Sequence, residues 1–185
     1  MKKLLNFVAD CDAQEVAELA VVLPILLSLI FGVFSFARAY NIYSTITRAA
    51  QAGARVAVAP ICTTCTQSCP WGTTAYPCDT TVTQAVKDAM KASHLDVTKI
   101  AQPSPLPNPS ACPDPNLAKS CAAASDGSNV YICRNVALNT TTTNTALQTC
   151  GTIVSFQYPY EFIPVPFYTV GTVSIPAVAQ ARVEY

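Results

Sequence analysis

The chain has 185 residues, with 11 acidic and 11 basic side chains and no formal net charge. That balance removes the basic footprint expected of a nucleic-acid binder and the charge bias expected of a protein handling acidic substrates. Hydrophobic residues make up 51% of the chain and charged ones only 12%, and the length allows one modest globular domain besides any membrane segment.

Residues 1–15 form a polar leader, with Lys2 and Lys3 near its start and Asp10, Asp12 and Glu15 behind them. From Leu19 to Ala37 there is no charged side chain, and Glu18 and Arg38 bracket the run. These 19 residues, as a helix rising ~1.5 Å each, cover ~28 Å, close to the ~30 Å hydrocarbon core of a bilayer. Pro24 is expected in the first turns of the helix, where few carbonyls are left unpaired. The transmembrane helix is therefore placed at residues 16–38. Helical spacing continues past it, because Ala39, Ile42, Tyr43, Ile46, Ala50, Gly53 and Ala57 recur at intervals of three and four. Arg48 and Arg55 share another face, and nothing breaks the pattern before Pro60. One helix from Val16 to Ala59 is predicted, with residues 39–59 as its extracytoplasmic continuation. Ala39, Ile42, Ile46, Ala50, Gly53 and Ala57 form its packing face. Read as a contact between subunits, that face predicts that Gly53→Leu impairs assembly more than expression.

Residues 60–185 are expected to form a cysteine-rich α+β domain. Of nine cysteines, Cys11 precedes the apolar run, as a lone cytoplasmic thiol, and Cys62, Cys65, Cys69, Cys78, Cys112, Cys121, Cys133 and Cys150 follow it. Eight in such a region read as a disulfide framework in an oxidising compartment, with pairing left open. Zinc is the rival reading for the Cys62-x-x-Cys65 spacing. However, the chain has one histidine, His94, and no second tight cysteine pair. Charge alone does not orient the helix, since Lys2 and Lys3 share their side with four acids while Arg38, Arg48 and Arg55 lie on the other. Thiol chemistry settles the expectation: N-terminus in the cytoplasm, cysteine-rich domain outside it.

Within that domain, Cys62 to Cys78 reads as a disulfide-tied loop. Thr80 or Thr81 can cap a short helix in which Val82, Ala85, Val86, Ala89 and Met90 form a stripe, with His94 just beyond as a surface or capping residue. Gln102 to Pro115 is a proline-rich extended connection tethered by Cys112. Strands are predicted at Val130–Ile132, at Thr152–Tyr158 and, by alternation, at Val170–Tyr185, with Asn139–Thr145 as a loop. Pro159, Pro164 and Pro166 are expected to interrupt the piece that follows, Glu161–Tyr168, making it an edge or a bend. These strands would form a small antiparallel sheet resting on the outer part of the long helix.

No catalytic constellation emerges. His94 is the only histidine to serve as a base, the acids are scattered, and there is no glycine-rich phosphate loop. No cofactor, metal site or enzymatic activity is predicted.

The most informative stretch is Ala13-Gln14-Glu15-Val16-Ala17-Glu18-Leu19-Ala20-Val21-Val22-Leu23-Pro24. It resembles the start of the TadE/TadG-like pilus-assembly family, with Gln14, Glu18, Ala20, Leu23 and Pro24 on the family pattern. Arg48-Ala49-Ala50-Gln51-Ala52-Gly53-Ala54-Arg55 resembles the family's AA-x-x-GAR segment, and Val154–Pro159 and Ala179–Glu184 are similar to its C-terminal strands. The resemblance implies a pilin-like fold and a membrane-anchored structural or accessory subunit of a tight-adherence (type IVc) pilus in the bacterial inner membrane. It further implies other pilin-like or Tad subunits as partners, the lipid bilayer as environment and a prepilin peptidase as processing enzyme. A cut between Ala13 and Gln14 would make Glu18 the fifth residue of the mature chain, although Ala13 stands where the family has glycine and Leu19 where it has an aromatic. The alternative is a secreted or anchored disulfide-rich adhesion module, released by a signal peptidase before Tyr40 at the Ala37-Arg38-Ala39 site.

Overall fold

A computed structural model describes residues 12–59, 77–112, 118–138, 149–161 and 171–182. Cys11, Cys62, Cys65, Cys69, the Asn139–Thr145 segment, Pro164 and Pro166 lie outside them. The elements in order are helix α1 (Asp12–Val58), helix α2 (Asp79–Ala92), a 3-10 turn (Val97–Lys99) and strands β1 (Ser120–Ala123), β2 (Tyr131–Ala137), β3 (Cys150–Glu161) and β4 (Thr172–Arg182). The long helix followed by an antiparallel sheet is the α+β arrangement expected. The chain forms two compact units, one containing α1 as far as Tyr40 and the other Asn41 to Glu161 with the residues from Gly171 onward.

In the first unit α1 begins at Asp12, four residues earlier than predicted, so Pro24 lies in the helix interior rather than in its first turns. A proline there has no N–H to give the carbonyl four residues back, that of Ala20. The helix continues through Pro24 nonetheless. From Glu18 to Tyr40 its side chains are exposed except at Ser35 and Ala39.

The second unit is built round the apolar face of α1 from Ile42 onward. Ile46, Ala49, Ala50, Ala54 and Ala57 are fully buried. They pack in one core with Val82, Val86 and Met90 of α2, Ile132 of β2, Val154, Phe156 and Tyr158 of β3, and Ala177 and Ala179 of β4. On α2 the buried positions fall at i, i+4 and i+8, one side of a helix. The helix starts at Asp79 rather than after Thr80 or Thr81: Cys78 occupies the cap position without a side-chain cap, and Asp79 brings negative charge to the first turn. His94 ends it. With φ of 58°, its N–H donates to Lys91 O (2.9 Å) while Leu95 N–H donates to Met90 O (3.0 Å), closing the C-terminal carbonyls.

The four strands lie in the order β1-β2-β3-β4, all antiparallel. β1 was not anticipated, and β3 runs three residues beyond Tyr158. The prolines explain why it can. Gln157 exchanges both backbone hydrogen bonds with Ala101 (2.8 Å each), so its pair with Pro176 on β4 is a non-bonded one. Two residues on, Pro159 faces Ser174 in the same phase. Neither proline removes a bond between β3 and β4, and the nitrogen of Pro176 points to the far side of β4, which has no neighbouring strand among the described residues.

Residues 101–112 supply what the sheet lacks. Ala101 extends the pairing of β3, and Ala111 bridges Val136 of β2, with Cys112 N–H donating to Asn135 O and Ala137 N–H to Ser110 O. The Cys133 sulfur lies 3.8 Å from Pro107 O, over a second cluster formed by Cys133, Val136 and Ile153. Disulfides fix this arrangement: Cys112 joins Cys150, and Cys121 joins Cys133 across directly paired positions of β1 and β2. Cys78 is also disulfide-bonded. Closing the 38-residue separation between Cys112 and Cys150 contributes ~4 kcal/mol on a chain-entropy reckoning.

One charge lies inside, next to a β-bulge. Between Cys133↔Ile153 and Val136↔Gly151, β2 has one residue more than β3, and Asn135 adopts φ of 52°. Val136 thereby returns to the face of Cys133, while Arg134 turns towards the helices with only 4% of its surface exposed. Its guanidinium donates to Ala57 O at the end of α1 (3.1 Å), to Pro77 O (2.9 Å) and to Asp79 Oδ1 at the start of α2 (2.8 Å from Nη2, 3.2 Å from Nε). A lesser tie holds the β1–β2 turn to α2: the Asp126 carboxylate accepts from Lys87 Nζ (2.8 Å), Thr83 Oγ1 (2.8 Å) and Ser128 N–H (3.0 Å). Burial raises the Asp126 carboxyl, but Lys87, Ser128 and Thr83 outweigh it and hold the group well below the usual carboxylate range.

Two outcomes are expected. Arg134→Leu strands two carbonyls and a carboxylate and should cost about 3 kcal/mol, read as a lower urea midpoint of the purified protein, whereas a surface change such as Arg55→Leu should cost less than about 0.5 kcal/mol. A carboxylate with a depressed folded pKa contributes stability above its unfolded value of ~3.9 and loses it as pH falls. Melting temperature should therefore drop below about pH 4, and Asp126→Asn should remove part of that drop while lowering stability at pH 7 by roughly 1–2 kcal/mol.

Candidate assembly site along the first helix

Catalytic geometry is not what the described residues offer. Among them no group of three His, Cys, Asp or Glu side chains is placed to hold a metal, and His94 is an exposed helix-terminating residue. The surface that distinguishes the molecule is the apolar part of α1. Leu19, Val21, Val22, Leu23, Ile25, Leu26, Leu29, Phe31, Val33, Phe34 and Phe36 all stand exposed. By length and composition α1 is the one described helix able to cross a membrane. Soluble chains rarely leave contiguous apolar surface of this extent without a partner or a lipid phase to cover it.

At the start of that surface, Ala13 and Gln14 lie in the first turn of α1 and Glu18 one turn further on, exposed. Gln14 and Glu18 are four residues apart, about one helical turn. The Ala13–Gln14 bond falls where backbone N–H groups have no intrahelical acceptor and a helix frays most readily. A carboxylate at the boundary of a charge-free helix gains most from an oppositely charged neighbour at the same depth, because an unpaired charge in lipid is costly.

The predicted packing face divides along its length. Ala39 and Ile42 are half-buried, while Ile46, Ala50, Gly53 and Ala57 are buried. Their neighbours belong to the same chain. A Cβ at Gly53 would stand 2.5 Å from Val86 Cγ2, 3.5 Å from Val154 Cγ1 and 3.6 Å from Val82 Cγ1. The small residues let α2 and β3 close on α1, so the effect expected of Gly53→Leu moves from assembly to folding. Of the cysteine candidates, Cys112, Cys150, Cys121, Cys133 and Cys78 are disulfide-bonded, while Cys62, Cys65 and Cys69 lie outside the described residues.

Sequence reasoning did not single out Arg134 or Asp126. A strand that carries one arginine amid hydrophobic residues was the available signal, since a charge there must find partners if it faces inward. The polar face of α1 was legible: Arg48 and Arg55 are both exposed.

Comparison with family models matches residues 14–55 to the TadE-like protein family, which bears out the resemblance carried by Gln14–Pro24 and Arg48–Arg55. The match begins within the first turn of α1 and ends one turn before its last residue. No curated protein matches the chain, and no solved structure does.

Gly53→Leu should abolish accumulation of folded protein, with proteolysis of the domain as the readout. Gly53→Ala, whose single methyl meets only Val86 Cγ2 closely, should be tolerated with a loss of about 1–3 kcal/mol.

Proposed function

We propose that this chain is a membrane-anchored, pilin-like or accessory subunit of a Tad-type (type IVc) pilus or a related envelope secretion machine. It acts by assembly rather than by catalysis. The observation that carries this reading is a coincidence of extents: the TadE-like match covers residues 14–55, and the same stretch is a single helix whose first half bears uncovered apolar side chains. The TadE-like family is one of pilus assembly, so the helix is a means of joining neighbouring subunits within a lipid phase.

In this reading residues 16–38 span the inner membrane, the N-terminus is cytoplasmic, and the domain from residue 60 onward lies in the periplasm or outside the cell. Its disulfides favour that side, since such bonds persist in oxidising compartments. A prepilin peptidase cuts between Ala13 and Gln14, and Glu18 then pairs with a cationic group of an adjacent subunit. The other pilin-like or Tad subunits are the partners.

N-terminal sequencing of the protein from its native membrane tests the route. Gln14 as first residue is expected, Met1 would indicate an uncut anchor, and Tyr40 would sink the membrane-anchored reading in favour of a secreted module. Glu18→Ala should leave the protein in the alkali-resistant membrane fraction yet reduce crosslinking to other subunits at least about tenfold, as loss of a paired charge in lipid demands. Undiminished crosslinking would remove Glu18 from the assembly contact.

A further inference from the structure

At the far end of the apolar run, three large side chains within five residues stand exposed among the described residues. Phe36 is 73% and Tyr40 64% exposed, and Arg38 between them is exposed with no ion pair among the described residues. We propose that Phe36, Arg38 and Tyr40 form a collar that binds phospholipid headgroups and sets the depth of α1 in the bilayer; this rests on the membrane-anchored reading.

Their order along the helix matches the gradient of polarity they would meet. Phe36 is the last apolar ring of the charge-free run, Arg38 is the first charge after it, and Tyr40 carries a hydroxyl on an apolar ring. Aromatic side chains of that kind sit at the headgroup level with the ring towards the acyl chains, and a guanidinium takes phosphate oxygens two at a time. At ~100° per residue, Phe36 and Tyr40 project from one side of α1 and Arg38 lies about 160–200° from them, on the other. The collar thus contacts lipid on both sides of the helix, which fixes depth while leaving rotation about the helix axis free. The opposite end has no counterpart: Asp12 to Glu18 contains neither an aromatic nor a basic residue.

A second helix is the poorer occupant. Close helix pairs in membranes select small residues at the contact, whereas this turn carries two rings and an arginine that hold a neighbouring backbone away. Anionic headgroups satisfy the arginine, and the interfacial carbonyls and water satisfy the tyrosine hydroxyl.

The test uses the full chain with Tyr40→Trp, reconstituted in phosphatidylcholine/phosphatidylglycerol vesicles, with emission taken as the difference from the wild type and its one tryptophan, Trp71. Lipids brominated near the carbonyls should quench the new tryptophan at least about twofold more than lipids brominated near the chain ends. The ratio should hold as protein is diluted into lipid. Adding Arg38→Ala should move it towards one. Stronger quenching by the deep bromines, or emission that changes on dilution because another copy covers the site, would overturn the collar while the protein still floats with the vesicles. Protein that fails to float would overturn the membrane-anchored reading, and the collar with it.

Discussion

A buried guanidinium holds the second unit together at the point where its parts have least in common. Arg134 reaches Ala57 O, Pro77 O and Asp79 from a strand bulge, so it joins the last turn of one helix to the first turn of the next and both to the sheet. Ala57 O is a carbonyl that the end of α1 leaves without an intrahelical donor, and the Asp79 carboxylate supplies the opposite charge. Desolvating an arginine is expensive, and only a full set of acceptors offsets that cost. Alternation turns Arg134 to the face of Ile132, towards the helices, and the extra residue in β2 keeps Val136 with the opposite cluster. The disulfide from Cys121 to Cys133 fixes the residue immediately before Arg134, and so holds the strand in the register that aims the guanidinium.

The first helix illustrates how one regular element serves two solvents. Up to Tyr40 it presents large apolar side chains with no protein over them, and beyond Asn41 it presents alanine and glycine to α2 and β3. Large aliphatic groups suit fluid lipid tails, which adapt to any shape. Small ones suit a rigid neighbour that has to come within van der Waals contact. The change of exposed surface along an unbroken helix is what a helix half in lipid would show, and the TadE-like match covers both parts.

Much of this was legible in the residues. The 3.6 period carried α1 and α2, and alternation carried β4. What the period could not supply was the identity of the partner: a stripe of Ala50, Gly53 and Ala57 signals close approach and is silent on whether the approaching surface belongs to the same chain. β1 escaped notice because Ser120-Cys121-Ala122-Ala123 has no β-branched residue and is a strand through its pairing and its disulfide. The extension of β3 through Pro159 depended on hydrogen-bonding phase, which is a property of two strands together and invisible in either alone. Arg134 was hidden for a similar reason, since its worth lies in acceptors from two distant segments. Gln14 and Glu18, the candidate assembly residues, were found by pattern, and both lie in the first turns of α1.

The phase of Pro176 has a bearing on life in a crowd. Among the described residues strand β4 presents a long edge of backbone donors and acceptors, with Val173 and Val178 exposed beside it, and subunits of an assembly of the proposed kind would meet such edges at high local concentration. Two sheets zipped edge to edge would tie their subunits by a contact that ignores sequence and is slow to release. A pyrrolidine ring in the middle of the row removes one donor and stands where an incoming strand would lie. In such an assembly, contacts between copies would be left to surfaces with side-chain specificity.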